Sequence, residues 1–154
     1  MFLGLLWQNK FTIILKCLTI RLHMKKTIEE LLQSQYWIID ILPEQVPKEN
    51  EGQFFEIERF FLESSRLTSI KEKHVNVLLK LNCYYQISID GEANPSPERI
   101  VKAVMERSLQ IMVSDAMILS EPDELNMTVY NPDERMMKLI TTISLGEGLF
   151  VWKP

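Results

Sequence analysis

Apolar and polar positions along this chain change period several times, and each change marks a helix or a strand. The clearest helical run is 67–81. There Leu67, Ile70, His74, Val77, Leu78 and Leu81 return at three- and four-residue spacing, while Lys71, Glu72, Lys73 and Lys80 take the wet side. Thr27-Ile28-Glu29-Glu30 reads as a capping box that opens a short helix to about Gln33. A helix over 54–62 is predicted with Phe54, Ile57, Phe61 and part of Phe60 inward and Glu56, Arg59 and Glu63 outward. Ser96-Pro97 supplies an N-cap and a proline at the first helical position, for a helix to about Arg107 that buries Ile100, Val101, Val104 and Met105. Asn131-Pro132-Asp133-Glu134 predicts the last helix, with Asn131 as its cap and Met136, Met137, Ile140 and Ile143 inward; Gly146 or Gly148 stops it.

Strand patterns fill the intervals. Residues 36–42 are β-formers, nearly continuously apolar except for Asp40 and ended by Pro43, which predicts a strand interior to the sheet. Residues 83–90 alternate, with Tyr85, Ile87 and Ile89 on one face, and 91–97 reads as a loop. Residues 109–114 and 116–120 are strand material, read as one strand bent near Asp115. Residues 126–130 return as the second arm of an antiparallel hairpin, and 149–152 make a final strand. The longest irregular stretch is 43–53, bracketed by Pro43, Pro47 and Gly52. Helices and strands mix without regular βαβ alternation. The expectation is an α+β domain, with a mixed, largely antiparallel sheet and helices packed on one face.

Charge divides the chain near Met24. Residues 1–23 contain no Asp or Glu but hold Lys10, Lys16 and Arg21; all 21 acidic residues follow. The stretch has no signal-peptide order, because its apolar part comes first and no small-residue cleavage site follows. Lys10 and Lys16 also break it into runs far shorter than the roughly 20 apolar residues a spanning helix needs. Met24-Lys25-Lys26 therefore reads as the true start, 1–23 as a misassigned extension, and 24–154 as a single domain. A genuine N-terminal element or a membrane-contacting segment are the other readings of 1–23. From Met24 onward 14 basic residues face 21 acidic ones, a net charge of about −7. An acidic balance argues against nucleic-acid binding. Cys83 and His74 are the only Cys and His after the extension, so no intramolecular disulfide is available and a reducing cytoplasm is expected. Asn126-Met127-Thr128 matches the glycosylation triplet and, without a secretion signal, reads as chance.

The candidate chemistry is sparse. His74 and Cys83 are too few for a structural zinc site, which takes four ligands, and partly buried packing roles, His74 on an apolar helix face and Cys83 at the following strand's entrance, are a simpler reading of the pair than a catalytic dyad. No metal or cofactor is expected. Asp40 is the most informative position. It is either a site carboxylate with a raised pKa or a strand-edge Asp whose side chain faces solvent or bonds the following loop. Asp115, Glu121, Asp123 and Glu124 lack the spacing of a calcium loop and read as a solvated acidic turn. Neighbouring strand residues point to opposite faces, so Tyr36-Trp37 and Tyr84-Tyr85 would each place one ring in the core and one on the far side.

Three stretches carry a resemblance: 36–43 with Val46-Pro47, 79–85, and 148–152. Together they resemble a family of small uncharacterised proteins from anaerobic Firmicutes, whose pattern begins near Met24. The resemblance implies a bacterial, cytoplasmic protein and carries no activity, ligand or site residue. The function expected is a non-enzymatic protein-binding or accessory module, a class that includes immunity proteins. Its acidic surface and the aromatics near the 43–53 loop would meet a protein partner, through Tyr36, Trp37, Asp40 and Tyr84. The alternative is a small enzyme or ligand sensor, which requires Asp40, His74 and Cys83 to converge on one pocket. Membrane contact is expected only if 1–23 is translated.

Overall fold

The structure is a computed structural model that describes residues 26–154, so the readings of 1–23 lie outside the described residues. Thr27 caps α1 (Ile28–Leu32) as the capping box requires: the Glu30 N–H donates to Thr27 Oγ1 at 3.2 Å and the Thr27 N–H donates to Glu30 Oε2 at 2.7 Å. β1 (Tyr36–Asp40) follows, then a short 3-10 turn at Lys48–Asn50, α2 (Glu51–Phe61) and the long α3 (Ser64–Asn82). β2 (Ile87–Ile89) and β3 (Glu92–Ala93) precede α4 (Pro97–Glu106). β4 (Leu109–Val113), β5 (Ala116–Ser120), β6 (Met127–Tyr130), α5 (Glu134–Gly146) and β7 (Phe150–Trp152) complete the order.

The strands form one seven-stranded sheet in the order β3-β2-β4-β5-β6-β1-β7, antiparallel at every pairing, so the α+β expectation holds. β1 lies between β6 and β7, inside the sheet as its apolar run predicts. Register explains the core. Ile89, Ile111, Ile118, Val129 and Trp37 stand opposite one another across five strands on one face. α3, α4 and α5 cover that face with Val77, Leu78, Leu81, Ile100, Val104, Met136 and Ile140, all buried. Burying each such side chain contributes about 1.5–3 kcal/mol, and this layer is what makes the isolated patterns cooperative.

Among the described residues, the opposite face is only partly covered. α1 lies across it: Leu31 and Met117 are fully buried there outside the main core, and Ile28 stands beside Gln110 and Met112. Tyr36, Ile38, Asp40, Phe150 and Trp152 share this face further along, and Tyr36 stacks on Tyr130 with ring centroids 5.5 Å apart.

Several expectations are corrected. Residues 83–86 are turn, not strand, because α3 continues to Asn82 and the chain needs a turn before Ile87. Residues 91–97 are not all loop: Asp90-Gly91, with φ of 52° and 79°, closes a tight hairpin into β3. Residues 109–120 are two paired strands, turned at Ser114-Asp115 with Ser114 at φ 53°. Asp133, not Asn131, caps α5, its carboxylate accepting from the Met136 N–H at 2.8 Å. Asn131, at φ 56°, instead ties three segments: its N–H donates to the Gln35 carbonyl, its amide to the Asp115 carbonyl, and its Oδ1 accepts from Lys26. Val101 is exposed, because the buried stripe of α4 runs through Ile100, Ala103 and Val104. Ile57 and Phe60 are exposed as well, since α2 turns Phe54, Glu58 and Phe61 toward the fold.

Candidate functional site

A cleft of about 350 Å³ opens on the less covered face, where β1 and β7 end beside the N-terminal half of α2. Its floor is the sheet. Ile38 pairs with Trp152 and Asp40 with Phe150, so strand alternation turns Ile38, Asp40 and Trp152 to the same side. Its wall is α2, which contributes Phe54, Phe55 and Glu58 at helical spacing, with Glu51 one turn earlier. The 42–46 segment adds Leu42, Glu44, Gln45 and Val46 to the lining, and Asn126 joins them from just before β6. Among the described residues, four carboxylates line the cleft and no basic side chain does.

Asp40 sets its electrostatics. Burial raises its pKa above the ordinary carboxylate value. The backbone N–H groups of Ile41, at 2.6 Å from Oδ1, and of Leu42 offset part of that shift, as does the indole of Trp152, while Glu58 adds to it. The Trp152 N–H is buried and lies toward this carboxyl but completes no hydrogen bond. Asp40 thus joins both sequence readings: a carboxyl with a raised pKa that also bonds the following loop.

The other expected surface residues fall elsewhere. Tyr36 shares the Asp40 face but does not line the cleft; Trp37 points to the helix-covered face, with Lys153 Nζ 5.2 Å from its ring; Tyr84 is exposed in the turn after α3. One ring of Tyr36-Trp37 therefore faces each side of the sheet, as alternation predicts. Glu51, Phe54, Phe55, Glu58, Asn126 and Trp152 line the cleft without having been singled out as site residues. The Phe54-Phe55 doublet beside the irregular loop was the usable signal. Trp152 had none, because its place depends on pairing with a strand more than a hundred positions away.

Asp40, His74 and Cys83 do not meet. His74 is fully buried on the helix side of the sheet, Asp40 lies on the opposite side, and Cys83 is exposed beyond the end of α3. His74 is held neutral: burial, and secondly the Lys71 charge, lower its pKa to about 3, against a small return from the Leu125 backbone, and among the described residues neither ring nitrogen completes a hydrogen bond. It cannot serve as a solvent-exchanging base. Among the described residues, no three His, Cys, Asp or Glu side chains come together as a metal site would require, and no helix is long and apolar enough to cross a membrane.

Comparison of the chain with family models, with curated proteins and with solved structures found no match.

Proposed function

We propose that this chain is a non-enzymatic binding domain that meets a protein partner through α2 and the adjoining cleft. The observation that carries the reading is that α2, eleven residues long, has no buried residue. A helix this exposed keeps apolar side chains only at a cost in solubility, yet Phe55 is 58% and Phe60 48% exposed, with Ile57 between them. Aromatic anchors of this kind dominate binding energy when a partner desolvates them. The net negative charge supports a basic partner surface, and a toxin-neutralising protein belongs to this class. The rival enzyme reading required Asp40, His74 and Cys83 in one pocket, and their separation counts against it.

The test is affinity capture with the tagged full chain and a Phe55→Ala/Phe60→Ala variant. The wild type should retain a stoichiometric partner that the variant loses, while the variant's unfolding midpoint stays within the small range of surface substitutions. A partner retained equally by both would reject the α2 surface.

A further inference from the structure

We propose that the cleft receives an arginine side chain from a partner segment in which apolar residues flank that arginine. The inference rests on the binding-domain reading and assigns the chemistry of its partner.

The shape of the charge excludes the simplest occupant. Asp40, Glu51 and Glu58 line one cleft, but the described carboxylates do not converge on a point as a metal site needs. Negative charge is spread around an aromatic wall instead, with Phe54, Phe55 and Trp152 lining the same space. A guanidinium matches that pattern better than a compact ammonium or a metal ion. It is planar, weakly hydrated, stacks on aromatic rings and can bond two carboxylates at once. The protein uses the same contact internally, with the Arg66 guanidinium of α3 3.6 Å from the Phe60 ring centroid of α2.

The size of the apolar surface argues for a protein segment over a free small cation. Phe55 lines the cleft and is itself mostly exposed, and Leu62, seven residues on and so on the same side of α2, is exposed just past its end. A small cation would leave these residues in water. A chain with apolar residues beside its arginine would cover them while its charge entered the cleft.

The experiment uses the full chain labelled with ¹⁵N and three probes. These are a blocked hexapeptide with one arginine between leucines, the same peptide with citrulline, and arginine amide. Citrulline keeps the shape and removes the charge. The arginine peptide should shift the amides of Ile41 and Leu42 and the Trp152 indole N–H, and should bind about tenfold or more tighter than the citrulline peptide, as expected for hydrogen bonds to a charged group. An Asp40→Asn/Glu58→Gln variant, whose spectrum reports its fold, should bring the arginine peptide to the citrulline level. Equal binding of the two peptides, shifts confined to other surfaces, or no shift at millimolar peptide would overturn the inference. Arginine amide binding as tightly as the peptide would overturn the protein-segment assignment. Partner capture lost in Phe55→Ala/Phe60→Ala but unchanged in Asp40→Asn/Glu58→Gln would sink the arginine subsite and leave the binding-domain reading standing.

Discussion

The ammonium of Lys71 donates to the carbonyl of Glu121, and this bond ties the middle of α3 to the turn between β5 and β6. Lys71 is fully buried, so its charge is costly: burial lowers its pKa to about 8, against a partial return from Glu124, Asp123 and Glu121. The turn expected to be a solvated acidic loop is therefore also the counter-charge of a buried lysine.

A pH dependence follows with a definite sign. Because the folded pKa lies below the unfolded value, the unfolded chain holds more protons between about pH 8 and 10.5, and folding stability contributed by this group rises with pH there. Urea unfolding of wild type and Lys71→Met at pH 7.5 and pH 9.5 isolates it. Wild type should gain on the variant by about 1–2 kcal/mol over that interval. A constant difference would show that Lys71 is not charged and buried in the folded state.

His74 predicts the acid limb. Its pKa near 3 means that the fold keeps it neutral while the unfolded chain protonates it below about pH 6.5, so stability is lost as pH falls through that window. The neighbouring Lys71 charge works in the same direction. Between pH 7.5 and pH 5 the loss from this group should be about 2 kcal/mol. His74→Leu should flatten the slope by that amount in guanidinium melts, and should not destabilise the protein at neutral pH, since both ring nitrogens are already unpartnered.

Asp40→Asn should stabilise the isolated domain at neutral pH. Burial raises the carboxyl's pKa in the fold, so ionising it works against folding; the penalty is full above the folded pKa and vanishes below the unfolded one. Asparagine keeps the acceptor for the Ile41 N–H. Thermal unfolding at pH 7 should shift upward by a few degrees, and the advantage should shrink toward pH 3.5. A lowered midpoint at pH 7 would mean that the carboxylate is stabilised by its loop bonds, and the cleft would lose its destabilised, binding-poised acid.

Ile118→Ala tests the central row. Ile118 is fully buried between Ile111 and Val129, in the middle of five facing positions. The substitution should cost about 2–5 kcal/mol in chemical denaturation, whereas Val101→Ala, on the exposed side of α4, should cost less than about 1 kcal/mol. Comparable losses would mean that the buried stripe of α4 has been misplaced.

Local signals carried well where the chain bonds to itself nearby. The Thr27 capping box, the Ser96-Pro97 start and the helical spacing of Ile70, His74, Val77 and Leu81 each rest on groups within a turn or two, and each appears as expected. Where two local signals competed, context chose. Asn131 and Asp133 are both good caps, and Asp133 prevailed because Asn131 was taken by the Gln35 and Asp115 carbonyls. Asp90-Gly91 matches the two-residue hairpin signal, yet 91–97 read as a loop because β3 is two residues long and leaves almost no strand pattern.

By itself, the sequence determined the fold class, most element positions, the unusual standing of Asp40 and the split of Tyr36 and Trp37 across the sheet. These follow from periodicity and capping, which act over a few residues. Only the tertiary structure decided strand order, the uncovered face, and the cleft that brings Asp40, Glu58 and Trp152 together. Those depend on which strand pairs with which and on how α2 leans against the sheet. Such choices are made by the burial of many side chains at once, at separations where no local pattern records them.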